Sequence, residues 1–143
     1  MSSDGSRIAI GATLNDGTDT SSGHVRVFDL VGSTWTQVGA DIDGEAAEDQ
    51  SGWSIAMSSD GSRVAIGAHF NDDTGTSAGH VRIYRWTGSA WQQLGADIDG
   101  EATGDRSGTS VAMSSDGSRI AIGADLNDGT DTSAGHVRVY DWT

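Results

Sequence analysis

An all-β fold built of β-propeller blades is predicted by three observations. The chain repeats itself with a period of 56 residues, each unit divides into four short β-type runs, and no segment carries helical periodicity. Met1-Ser2-Ser3-Asp4-Gly5-Ser6-Arg7 returns at Met57–Arg63 and at Met113–Arg119, and the first two copies agree at 37 of 56 positions. A fixed period of this length marks solenoids, propellers and arrays, in which one unit cannot bury its own apolar face. Four antiparallel strands followed by a connection that restarts the pattern make one propeller blade, whereas a parallel β-helix needs a shorter coil without hairpin turns.

The middle unit shows each element in order, with strands named A to D from the inside outwards. After Gly52, Trp53-Ser54-Ile55-Ala56-Met57 alternates large and small residues and is strand A. Asp60-Gly61 turns the chain, because both residues tolerate positive φ. Arg63-Val64-Ala65-Ile66-Gly67-Ala68 is strand B, short and almost continuously apolar, the pattern of a strand buried on both faces. The polar loop Asn71–Gly79 leads to strand C, His80-Val81-Arg82-Ile83-Tyr84-Arg85-Trp86. Strict alternation there sends Val81 and Ile83 to one face and His80, Arg82 and Tyr84 to the other. Thr87-Gly88-Ser89 turns into strand D, Trp91-Gln92-Gln93-Leu94-Gly95, and Ala96–Ser107 crosses to the next unit.

On this frame the chain divides into a partial blade over 1–51 (B-C-D), a complete blade over 52–107 and a partial blade over 108–143 (A-B-C). The third copy stops 25 residues short of a full unit, so the expectation is a piece of a longer array. Propellers close with about four to eight blades, so closure is expected through other copies of the chain. The partner is then a homo-oligomer, dimer or larger, or a filament if the rotation between chains does not close. Val25, Val27, Val81, Ile83, Val137 and Val139 are the expected self-association residues, through burial of apolar sheet faces.

Composition narrows the functions. The chain has 21 glycines, no proline, no cysteine and a net charge of −13, and all eight of its Lys+Arg residues are arginine. Without cysteine there are no disulfides or thiolate metal sites. Strong acidity argues against nucleic acid and suits a cation or a basic partner. No apolar run is long enough for a membrane-spanning helix.

Four groups of residues are candidates for function. In the crossover, Asp41, Asp43, Glu45 and Asp49 recur as Asp97, Asp99, Glu101 and Asp105, and alternate carboxylates offer the hard oxygen ligands of calcium. The competing reading is that they cap a turn. The B-to-C loop Asn15–Thr20 recurs at Asn127–Thr132, but the middle copy, Asn71-Asp72-Asp73-Thr74-Gly75-Thr76, moves one Asp by two places, as a surface turn tolerates. His24, His80 and His136 each precede an Arg by two residues, a pattern suited to hydrogen bonding between blades. Trp35 and Trp91 on strand D offer sugar-stacking platforms or cover the blade's apolar face. The unrepeated residues His69, Trp53 and Arg85 are scattered in sequence, and no cluster of acid, base and nucleophile points to an enzyme.

The run from strand A to strand C resembles the FG-GAP repeat, the blade unit of integrin-α-type propellers. Its "FG" stands as Ser51-Gly52 and Ser107-Gly108. Its "GAP" stands as Gly11-Ala12-Thr13, Gly67-Ala68-His69 and Gly123-Ala124-Asp125, and its "GxVxVF" as Gly23-His24-Val25-Arg26-Val27-Phe28 and copies. The resemblance implies a propeller used for adhesion or interaction, extracellular or at a cell surface. It also implies calcium in an aspartate-rich A-to-B loop, but that loop is reduced here to Ser58-Ser59-Asp60-Gly61-Ser62, with one carboxylate. The reading is therefore a non-enzymatic, structural or adhesive module that self-associates. The alternative is a lectin-like propeller with one weak sugar site per blade.

Overall fold

The computed structural model describes residues 1–142. Twelve strands follow one another: β1 (Arg7–Ala12), β2 (His24–Val31), β3 (Thr34–Gln37), β4 (Ile42–Asp43), β5 (Ser54–Met57), β6 (Arg63–Ala68), β7 (His80–Trp86), β8 (Trp91–Gln93), β9 (Ile98–Asp99), β10 (Ser107–Met113), β11 (Arg119–Ala124) and β12 (His136–Asp141). They form three antiparallel sheets: β1-β2-β3 with β4 on β2, β5-β6-β7-β8 with β9 on β7, and β10-β11-β12. These are the blades B-C-D, A-B-C-D and A-B-C, each ordered as the chain runs.

Strands B and C match the sequence reading residue for residue, because each is a β-branched or alternating run closed by a turn. Their register is the same in all three blades: Gly11 pairs with Val25, Gly67 with Val81 and Gly123 with Val137. Strand D differs. The crossover was expected to begin at Ala96, yet Ile98–Asp99 returns to pair with His80 and Val81, as Ile42–Asp43 does with His24 and Val25. Strand D is thus one strand broken by a bulge, which adds local bend. The bulge needs Gly39 (φ +76°) and Gly95 (φ +73°), where a Cβ would also strike the rings of Trp86 and Trp142, respectively. A two-residue strand is too short to register as alternation in the sequence.

The core lies between blades, not inside them. Val25 and Ile42 of blade 1 pack on Val64, Ile66 and Tyr84 of blade 2, with Trp91 at the edge. The other face of blade 2, Ala65, Val81 and Ile83, packs on Ile120 and Ile122 of blade 3. Polar bonds join the same neighbours. The amide of Ser3 donates to the carbonyl of Ser59 at 2.8 Å, and Ser59 in turn donates to Ser115 at 2.8 Å. The Nη1 atoms of Arg7 and Arg63 donate to the carbonyls of Gly61 and Gly117, one blade further on.

This arrangement corrects four of the six residues expected to mediate self-association. Val25, Val27, Val81 and Ile83 are at most 4% exposed, buried between blades of the same chain. Only Val137 and Val139 lie open, at 66% and 61%. The reason is position: the first four sit on faces already covered by the next blade, and the last two sit where blade 3 ends the stack.

Candidate functional site

Two regions stand out: the uncovered outer faces of blades 1 and 3, and a tier of polar groups between blades.

The uncovered faces are copies of covered ones. On blade 1, Ile8, Ile10, Phe28, Leu30 and Trp35 stand where blade 2 has Val64, Ile66, Tyr84, Trp86 and Trp91. Ile10 is 50% exposed, Leu30 41% and Trp35 42%, whereas Ile66 is 1% exposed. On blade 3, Val137 and Val139 hold the places of the fully covered Val81 and Ile83. Trp91 shows what its place does when a neighbour is present: its indole N–H donates to the carbonyl of Val38 at 2.9 Å. Its ring lies 5.4 Å from that of Trp86. Trp91 therefore packs blade 2 on blade 1, and Trp35 is the same tryptophan without a neighbour.

The crossover carboxylates do not gather into one calcium site. Asp49 and Asp105 are almost wholly buried and cap their turns. Each accepts from a backbone amide, that of Ala46 or Ala102, and from the side-chain amide of Asn71 or Asn127. Burial pushes the Asp49 carboxyl above the usual range. Asp41 is held by Arg26 and Gln37, which keep its pKa low. Asp43 and Asp99 lie in strand pairs, and their backbone carbonyls accept from Arg82 at 2.7 Å and Arg138 at 2.6 Å. Glu45 and Glu101 reach forward to the same two arginines at 3.2 and 3.5 Å.

Arg82 and Arg138 of the His-x-Arg pairs are thus blade-to-blade hydrogen-bonding devices, whereas Arg26 bonds Asp41 of its own blade. The His is not such a device. His80 is 1% exposed, and neither ring nitrogen has a hydrogen-bond partner. Its Nδ1 lies 3.7 Å from Asp97 and 4.0 Å from Asp73, beyond hydrogen-bond length. Desolvation, with the Arg82 charge second, lowers its pKa to about 4, so the ring is neutral near pH 7. Glu45, Asp73, His80 and Asp97 each place a donor atom within 4.8 Å of the others, and His24, Asp41 and Asp43 form a smaller group of the same kind.

The A-to-B turn does not fit the calcium implied by the family resemblance. Asp60 accepts from the Ser58 hydroxyl at 2.6 Å and from the Ser62 amide at 2.9 Å, and Asp4 and Asp116 repeat this. One carboxylate saturated by serine donors leaves no oxygen cage for a cation that takes six to eight ligands.

Two of the three unrepeated residues are together, not scattered. Trp53 and His69 stack with centroids 4.3 Å apart, His69 and Phe70 at 4.0 Å, and the Arg106 guanidinium lies 5.1 Å from the Phe70 ring. Trp53 keeps 51% of its surface exposed. Arg85 is elsewhere, bonded to Gln92. Sequence reasoning missed the stack because Trp53 and His69 are 16 residues apart, just outside the paired ends of β5 and β6.

Stacked antiparallel blades with cores between them define a β-propeller repeat protein. Residues 35–84 match the model of the FG-GAP repeat. Among solved structures the chain is similar to the Kuenenia stuttgartiensis hydrazine synthase, with a TM-score of 0.56 and 16% identity. That match covers 98% of this chain and 43% of the other, so the chain spans less than half of that neighbour, and the likeness is one of fold alone. No curated protein matches. No helix among the described residues is long and apolar enough to cross a membrane.

Proposed function

We propose that the chain is a non-enzymatic structural or adhesive propeller module whose uncovered blade faces associate with further copies of itself. One observation carries this reading: the exposed Ile10, Leu30 and Trp35 at one end and Val137 and Val139 at the other are copies of residues that mate inside the chain. The two faces are complementary to each other, not to themselves. The contact is therefore heterologous, running head to tail from blade 3 of one copy to blade 1 of the next. Covering a valine or isoleucine fully contributes about 1.5–3 kcal/mol. The Ser3-Ser59-Ser115 ladder has an end at each face, where a neighbouring copy would extend it.

A pair of variants tests the direction of the contact. Ile10→Asp blocks the blade 1 face and Val137→Asp the blade 3 face. Each variant alone is expected to be monomeric, since every contact needs both faces, and an equimolar mixture to form a one-to-one complex through the two faces left intact. Assembly that is unchanged in both variants would defeat the reading.

Carbohydrate binding is the second reading, and the half-exposed Trp53 on His69 is what favours it. The Trp91 platform is less suited, since its indole N–H is already bonded within the chain. Glycan-array binding that is lost in Trp53→Ala, with the oligomeric state unchanged, would support it.

A further inference from the structure

The polar tier between blades 1 and 2 holds one cluster that its copies at the other positions do not complete. The geometry points to a zinc-type dication held there by His80, Asp97, Asp73 and Glu45, joining the first blade's crossover to the second blade. This inference is independent of self-association.

Four observations carry it. First, the His80 ring is buried and both nitrogens lack partners, although Nδ1 is aimed at two carboxylates. A buried polar group without a partner is costly, and native structures seldom leave one. Second, the distances suit a shared ion better than direct bonds. Four ligands about 2.0–2.2 Å from zinc lie roughly 3.4 Å from one another in a tetrahedron. The observed 3.7 and 4.0 Å separations need only a small contraction to reach this. Third, three carboxylates crowd the ring with Arg82 as the near cation. A dication relieves that repulsion. Fourth, the donor set mixes imidazole with carboxylate. That set suits zinc and its first-row neighbours, whereas calcium takes oxygen alone.

Asymmetry locates the site. The B-to-C loops of blades 1 and 3 carry Gly17 and Gly129 where blade 2 has Asp73. The displaced aspartate remains part of a turn, its amide donating to Asn71 Oδ1 at 3.0 Å, while its carboxylate faces His80. Blade 1 has His24, Asp41 and Asp43; Gln37 donates to Asp41 as Gln93 does to Asp97, but Asp41 alone is also engaged by an arginine of its own blade, Arg26. Blade 3 has His136 beside Glu101 and no counterpart of Asp73. The residue that breaks the repeat is therefore the one that completes the ligand set.

Calorimetric titration of the full chain with zinc, after chelator treatment, tests this, with visible absorption of the cobalt(II) form as a second readout. One saturable site per chain is expected, undisturbed by excess calcium. His80→Gln should abolish it. Asp73→Gly, an exposed change that makes the blade 2 loop like its copies, should weaken binding by about tenfold or more with the fold intact, as loss of one of four ligands requires. The Asp73→Gly variant decides the matter if His80→Gln does not fold. No saturable zinc binding would overturn the inference. So would zinc binding of equal affinity in both variants, or displacement by calcium.

Discussion

Val81 and Val137 hold the same place in the repeat, on the same strand and in the same register, yet one is 0% exposed and the other 66%. Ile66 and Ile10 differ as sharply, at 1% and 50%. The middle blade and the end blades have nearly the same sequence, so the difference is not in the strands. It lies in whether another blade is stacked on the face. Stability in this molecule belongs to junctions, which is the nearest-neighbour behaviour expected of a repeat array.

The largest effect should separate Ile66 from Ile10. Ile66→Ala removes a fully buried side chain at a junction and is expected to cost about 2–5 kcal/mol. Ile10→Ala is expected to stay within ~0.5 kcal/mol while the chain is monomeric. Urea unfolding at low protein concentration checks both, and equal costs would break the comparison.

Arginine gives the next contrast. Arg82 is 4% exposed and joins the Asp43 carbonyl and Glu45 across the junction, whereas the Arg26 side chain, with no blade before it, folds back on Asp41 at 45% exposure. Arg82→Met should cost about 1–3 kcal/mol through the acceptors it leaves unmatched. Arg26→Met should cost less than ~1 kcal/mol, as an exposed pair does. The same unfolding titrations measure this.

A smaller difference is expected at tryptophan. Trp91→Phe loses the indole bond to Val38, worth about 1 kcal/mol, and Trp35→Phe loses none in the monomer. Thermal melts of both variants at one concentration would show it, and a matching loss at Trp35 would mean its face is already covered.

The A-to-B turns should show no contrast at all. Serine hydroxyls and amides hold Asp4 and Asp116 at about 2, and Asp60 is lowered in the same way. A carboxyl depressed in the fold adds stability above its ordinary pKa, and that share is lost as pH falls from about 4 towards 2. Asp→Asn at each of the three positions should flatten this part of a pH–stability profile to a similar small extent. A large effect confined to one blade would show that the turns are not equivalent.

Much of the fold was legible in the residues. Val64–Ala68 and His80–Trp86 are long enough, and patterned clearly enough, for their period to mark strands B and C. The broken strand D was not legible, because Ile98–Asp99 is two residues long and its pairing depends on a glycine bulge. The site was less legible than the fold. Asp41, Asp43, Glu45 and Asp49 read as one carboxylate group, yet they take different partners, since Arg26 and Gln37 hold Asp41, Arg82 draws Glu45 across the junction and the turn after them buries Asp49. The isolation of His80 was invisible for a similar reason: its surroundings come from Glu45, Asp73 and Asp97, on three different connections. Asp73 was the available signal, as a departure from the repeat.

The central claim is that the uncovered faces are junctions awaiting a neighbour, and the mass of the unmodified chain in solution tests it most directly. Light scattering on a sizing column, over a range of concentrations, should give a discrete oligomer or a growing series, with dissociation on dilution. A folded monomer of 14.7 kDa at every concentration would contradict the account.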